Sequence, residues 1–348
     1  MTTRGEGEPS GEAERDSRRL EERLLSPRPF LHEVAAALYV AGGVALLETL
    51  PVSYPRAAIL LAGSLPMAWF AGATLVLLLA REALRRRAGR PAPFPPRAEA
   101  ILLLRAAAVL LPVLSVHFLL KSFVWLVHPR TFDGLLWEVD RALHLGVSPT
   151  LFATAAFADP ALLRVLDVLY SGGYFALAVV AVPVLLVLPR PELRMAFVAS
   201  FAAIWMAGSV LYLAFPSWGP VFVVPQLFAE VLPHMPATVS VQRVLFGELS
   251  SLVNDPQAAR TVRYGSVAAF PSLHLAVVTL LSVASRHVSR LWSRANAAFV
   301  AAMLAGSVVT GYHYLVDGWA GVLLALLAWG VARRLFPGTG GEGAAQRP

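Results

Sequence analysis

Eight apolar runs separated by arginine-rich connections constrain this chain more than any other feature. They fall at roughly 33–50, 57–80, 101–127, 161–188, 195–215, 272–288, 295–312 and 314–333. Most are long enough to cross about 30 Å of hydrocarbon at about 1.5 Å per helical residue. Glu48 lies near the end of the first run. Pro66, Pro112 and Pro183 lie inside runs, where proline kinks a membrane helix without forbidding it. The expected fold class is therefore all-α, a polytopic transmembrane helical bundle of about eight spans. Composition agrees: charged residues make up 15% of the 348, against about 25% in soluble domains.

The connections orient the bundle. With the N-terminus in the cytoplasm and eight crossings, one side collects Arg81, Arg85, Arg86, Arg87, Arg90, Arg97, Arg190, Arg194, Arg286, Arg290, Arg294, Arg333 and Arg334 in short connections. The other side holds fewer arginines in longer ones, as the positive-inside rule requires. Both termini are expected in the cytoplasm. Residues 1–30 and 337–348 are polar and expected as disordered tails around a membrane domain over 31–336. No cleavable signal peptide is evident at the start. The net charge of +7 is explained by this placement and implies no nucleic-acid partner. Cysteine is absent, which excludes disulfide and thiolate chemistry. Lys121 is the only lysine; arginine in its place, with abundant Ala, Gly and Pro, suits a GC-rich genome and a bacterial inner membrane. Two long segments remain on the outer side. One is 128–160, whose mixed pattern suggests helices lying at the interface. The other is 216–268, rich in Pro, Gly and Trp and beginning Phe215-Pro216-Ser217-Trp218-Gly219-Pro220.

Two histidines and a carboxylate stand at the ends of apolar runs, where ionisable groups are costly. His274 follows Phe270-Pro271-Ser272-Leu273 at the outer start of the sixth run. His313 lies between the seventh and eighth, and Asp317 follows it by four residues. All three fall on the outer face, although the arginines alone set the topology. One helical turn would place His313 and Asp317 on one face. The carboxylate would then hold one imidazole nitrogen and leave the other as a nucleophile. Pro271 suits a first helical turn, and the N–H groups around Ser272 and Leu273 would point outward as an anion site. A structural hydrogen bond is the plainer account of a lone His-x-x-x-Asp pair, and two His with one Asp make a thin metal site. A transporter or flippase would need ionisable groups at mid-membrane depth and inverted repeats; within the runs only Lys121 and Asp167 qualify, and no repeat is evident.

Phe270-Pro271-Ser272-Leu273-His274 and His313-Tyr314-Leu315-Val316-Asp317 resemble the second and third signature motifs of the type 2 phosphatidic acid phosphatase superfamily. Leu273 replaces the Gly of the common Pro-Ser-Gly-His form, and Gly306-Ser307 stands where the phosphatases have Ser-Arg. The branch containing inositol phosphorylceramide synthase departs in the same way, and its Pro- and Trp-containing outer stretch is similar to Phe215–Pro220. The resemblance covers about 210–322. It implies a six-helix core, no metal or cofactor, and catalysis by phosphoryl transfer. In that scheme His313 attacks phosphorus, Asp317 orients it, and His274 protonates the leaving group and then activates the acceptor. The expected partners are a membrane phospholipid as substrate and a lipid or water as acceptor. Phospho-headgroup transfer and lipid phosphate hydrolysis both remain open, with the departures leaning to transfer. The first motif is matched only by Lys121-x6-His128-Pro129, followed by Arg130. Lys121 either holds phosphate or snorkels outward. Arg130, Arg260 and Arg263 are alternative clamps or solvated loop charges. Trp218 lines a headgroup pocket or anchors at the interface.

Overall fold

In a computed structural model the described residues are 22–50, 56–89, 95–254 and 267–337. They form helices joined by turns, with no strand among them. The longer helices are α1 (Leu31–Glu48), α2 (Arg56–Arg87), α3 (Pro96–Ser122), α4 (Asp133–Leu143), α5 (Pro149–Ala156), α6 (Pro160–Leu186), α7 (Pro191–Ala214), α8 (Pro236–Asn254), α9 (Leu273–Ser285), α10 (Arg290–Val309) and α11 (Leu315–Leu335). Local chemistry marks many of their starts. Proline opens α3, α5, α6 and α7, where its missing N–H costs no hydrogen bond. Ser148, Asp159, Ser272 and Ser289 cap α5, α6, α9 and α10 through their side-chain oxygens.

All eight apolar runs are helical. Five of the helices, α1, α3, α6, α7 and α11, are long and apolar enough to cross a membrane. α9 is not, with 13 residues. It lies in the middle of the bundle, packed on α6, α7, α10 and α11, and nearly all of its side chains are buried. α7 is its equally buried neighbour, packed on α3 and α11. Large apolar side chains such as Leu38, Val76, Phe175 and Leu323 face outward on the surrounding helices. Such a surface is stable only where something other than water covers it, as lipid would.

Most of the two expected tails, residues 1–21 and 338–348, lies outside the described residues. Residues 22–30 fold back on the bundle: Glu22 to Leu25 form a helical turn, Leu24 is buried, and Arg105 donates to the carbonyls of Leu24, Ser26 and Arg28. The apolar Leu24 and the Arg105 side chain outweigh the polar composition of the stretch. The same Arg105 pairs with Glu33 at 2.7 Å, tying α3 to α1. Nearby, Arg194 of α7 is fully buried and bonded by both terminal nitrogens to Glu99 of α3, which also takes Arg81 of α2 at 3.1 Å. A cavity of about 430 Å³ beside Arg105 and Pro112 shares no residue with the histidine motifs.

The opposite end of the bundle gathers the long connections. The segment 128–160 carries α4 and α5. The described part of the segment 216–268, chiefly 216–254, is more helical than its Pro- and Gly-rich composition suggests. It holds the turn Pro220–Val223, two 3-10 turns at Pro225–Phe228 and Leu232–His234, and α8. The start of α8 is capped from elsewhere: Asp167 of α6 accepts from the N–H groups of Ala237 and Thr238 at 2.9 and 2.7 Å. A cap from a distant residue leaves no local sign, which is why the sequence reads as loop. It also accounts for Asp167 as an anchor of α8.

Candidate active site

Three connections meet at this end: the residues after α3, the stretch from Phe215 to Pro220, and the turn before α11. The Phe215–Pro220 stretch stitches them together. The carbonyl of Pro216 accepts from Phe132 at 2.8 Å; Ser217 accepts from Ala269 and Phe270 at 2.9 and 3.0 Å. Gly219, at φ 90°, comes so close to the Tyr312 carbonyl that no Cβ would fit. Val221 then donates to the Gly311 carbonyl at 2.9 Å.

Two buried aspartates of α4 complete the frame. Asp133 accepts from the N–H groups of Trp218 and Gly219, at 3.0 and 2.9 Å, and from the Tyr314 hydroxyl at 3.0 Å. Asp140 accepts from the N–H groups of Leu315 and Val316, both at 2.9 Å. These are first-turn donors of α11, which have no partner inside their own helix. The negative charge also suits the helix N-terminus. Burial pushes the Asp140 carboxyl above its ordinary pKa, and the Leu315 and Val316 N–H groups pull against it. α4 is thus more than an interfacial helix, because its polar face holds the turn that carries His313. The signal was in the sequence: Asp133 and Asp140 are seven residues apart, two helical turns, on one face.

His313 Nδ1 lies 3.3 Å from Asp317 Oδ2. The expected pairing is present, but its geometry differs from one helical turn. His313 precedes α11, and Asp317 is the third residue of that helix. Its Oδ2 reaches back to accept from the Tyr314 N–H at 3.0 Å and so meets the imidazole. The other ring nitrogen is not free. His313 Nε2 sits 3.2 Å from the Ser272 hydroxyl. Ser272 is fully buried and caps α9. The helix therefore begins at Leu273, after Pro271. The Ser272 N–H does not point outward as expected: it donates to the Asp317 carbonyl at 3.0 Å. Gly321 allows this approach, since a side chain there would strike the Ser272 carbonyl.

Across the site stands His274, with its ring centroid 6.5 Å from that of His313 and inclined by 72°. Neither of its nitrogens has a hydrogen-bond partner among the described residues, and the ring is partly exposed. Tyr174 packs edge-on at 4.5 Å, and Tyr170 lies 5.5 Å away. Tyr170 also stacks on Tyr312 at 5.6 Å. These rings line one side of the two imidazoles. Burial lowers the pKa of His313 from its ordinary 6.5 to about 3, with the charge of Lys121 acting the same way and a backbone contact from Ala269 opposing it. At neutral pH the imidazole is uncharged, with a lone pair to use.

The basic residues separate. Lys121, one residue from the end of α3, lies near the Tyr212 ring, with its nitrogen 5.9 Å from the centroid. It is partly exposed and has no hydrogen-bond or ion-pair partner among the described residues, and its charge reaches both histidines. Arg130 is exposed, and no hydrogen bond or ion pair joins it to the site. Arg260 and Arg263 lie outside the described residues. Trp218 packs edge-on against Trp125 at 5.4 Å, and its indole N–H is buried without a partner. Sequence reasoning missed Tyr170 and Tyr174. Their spacing of four residues around Ser171-Gly172-Gly173 was the only hint.

No curated protein and no solved structure matches the chain significantly. A family model described as the PAP2 superfamily matches residues 134–331, from α4 into α11, so that both histidines and Asp317 lie within the match while Lys121 and Arg130 precede it. The match spans more than half of the chain, and its all-helical architecture and membrane-length helices agree with it: this protein belongs to the PAP2 superfamily and has a phosphatase or phosphotransferase kind of function.

Proposed function

We propose that the protein moves a phospho-headgroup, of phosphoinositol type, from one membrane lipid to a lipid hydroxyl on the extracytoplasmic face, through a phosphohistidine at His313. The observation that carries this reading is the arrangement of His313. One ring nitrogen faces Asp317, the other faces a hydroxyl, and the free imidazole of His274 stands opposite. In the first step the Nε2 lone pair attacks phosphorus and forms an N–P bond. The P–O bond to the donor breaks, and protonated His274 gives its proton to the departing oxygen. The Ser272 hydroxyl turns from Nε2 toward a phosphoryl oxygen as the nucleophile engages. Asp317 keeps Nδ1 as the protonated nitrogen and stabilises the charge that develops on the ring. In the second step His274 takes the proton of the acceptor hydroxyl, whose oxygen attacks phosphorus. The N–P bond breaks and His313 is restored. No net proton or electron is consumed. Lys121 offsets the phosphate charge.

The choice of a lipid hydroxyl as acceptor rests on the departures from the common phosphatase motifs. Leu273 and the non-basic Ser307 agree with the transferase branch. The Ser307 hydroxyl turns back to the Leu304 carbonyl of its own helix. The arginine-rich connections support the extracytoplasmic placement. Purified protein given labelled phospholipid, with and without a lipid alcohol, tests the proposal. New phospho-lipid is expected only with the alcohol. Release of the free phospho-headgroup, or of phosphate from a phosphomonoester lipid, at full rate without it makes the protein a hydrolase. In the same assay His313→Ala is expected to lose at least about 10³-fold in turnover. Wild-type rates in that variant would remove the nucleophile.

A further inference from the structure

Tyr170 lies in the five-residue π turn Leu169–Gly173 that interrupts α6. Such turns are rare and gather at functional sites. Its ring is 5% exposed. It stands 5.5 Å from the His274 ring and 6.5 Å from the His313 ring, so it borders the space between the two imidazoles. Stacking on Tyr312 holds one face, and Gly306 permits a close approach at its base, where an added Cβ would lie 3.3 Å from Tyr170 Cβ. The hydroxyl is buried and has no hydrogen-bond partner among the described residues.

A buried, unpaired hydroxyl is costly, and phenylalanine would fill the same space without that cost. The hydroxyl therefore calls for a partner that arrives later. Asp317 Oδ1, also buried and unpaired, is no such partner: the two lie close enough for the carboxylate charge to be felt at the phenol, yet no hydrogen bond joins them. A phosphoryl group between the imidazoles brings non-bridging oxygens that accept hydrogen bonds and gain charge in the transition state.

We infer that Tyr170 is a catalytic residue, its hydroxyl donating a hydrogen bond to a non-bridging phosphoryl oxygen as phosphorus moves onto and off His313. The inference rests on the reading of His313 as the nucleophile. The phenol keeps its proton throughout; the N–P and P–O bonds change as already described. The hydrogen bond forms only when phosphorus is present, so it acts on turnover more than on the resting fold.

Purified full-length protein with labelled phospholipid and a lipid alcohol provides the test, with Tyr170→Phe compared to wild type and to His313→Ala. The Phe variant is expected to lose about 10- to 1,000-fold in kcat, with a smaller change in KM. Its melting temperature should be unchanged or higher, because an unpaired buried hydroxyl has been removed. Inhibition by orthovanadate, which imitates the five-coordinate phosphorus, should weaken in parallel. Wild-type turnover in Tyr170→Phe while His313→Ala is inert overturns this inference and leaves the phosphohistidine standing. Turnover in His313→Ala overturns both. A lost rate accompanied by a lower melting temperature makes Tyr170 structural and also overturns it. Should the Phe variant not be recovered folded, 3-fluorotyrosine at position 170 keeps the shape and strengthens the donor; tighter vanadate inhibition supports the contact, and unchanged inhibition refutes it.

Discussion

The two ends of the bundle bury polar groups in opposite ways. Where α3 and α7 begin, Arg194 enters the protein with Glu99 already on its terminal nitrogens, and Arg81 and Arg105 find Glu99 and Glu33. Where α3 ends and α9 and α11 begin, Lys121, His274, the Tyr170 hydroxyl, the Trp218 indole N–H and one oxygen of Asp317 have no partner among the described residues. The first arrangement settles the helices against one another. The second costs stability and leaves donors directed at a guest. Unpaired buried polar atoms occur at both ends, His32 Nδ1 and Arg333 Nη1 among them at the arginine-rich end, but at the other end they gather around the two histidines.

Breaking the matched end is expected to have the largest effect on stability. Glu99→Gln leaves Arg194 buried without its counter-charge and should cost about 3–5 kcal/mol. Melting of the detergent-solubilised protein measures this. Molecules that remain folded should turn over at the wild-type rate. A melting temperature equal to wild type would show that the ion pairs contribute nothing net.

A smaller loss is expected between the ends of this contrast, at Asp140. Asp140→Asn weakens the charge-assisted bonds to Leu315 and Val316 and should cost about 1–3 kcal/mol. Unlike Glu99→Gln it should also lower kcat at temperatures where the protein is folded, because the turn holding His313 loosens. Unchanged kcat in the folded protein would detach α4 from the site. The smallest effect is expected at Arg130, which is exposed and makes no bond to the site. Arg130→Ala should change turnover by no more than about twofold, as expected for a solvated surface charge. A large drop in the phospholipid assay would bring Arg130 back as a phosphate clamp, leaving Lys121 as its competitor.

The candidate site was legible only in part. His274, His313 and Asp317 stand out because ionisable residues are rare in apolar runs. Their convergence follows from helices of membrane length, which fix which run ends share a face. The reason that His313 meets Asp317 was not legible. Four residues suggest a helical turn, whereas the contact depends on where α11 begins, and that is set by Asp140, 175 residues before Leu315 in another helix, through hydrogen bonds at 2.9 Å. The same applies to α8, whose start depends on Asp167.

By itself the sequence determined the all-helical class and the apolar runs, because both rest on composition and local spacing; the phosphoryl roles of the motif residues came only from their resemblance to a family. Tertiary structure alone decided that Ser272 occupies the second nitrogen of His313, that Asp133 and Asp140 hold the turn, and that Tyr170 faces the imidazoles with a spare hydroxyl. Hydrogen bonds between residues far apart in the chain have no periodicity, so only the packed helices reveal them.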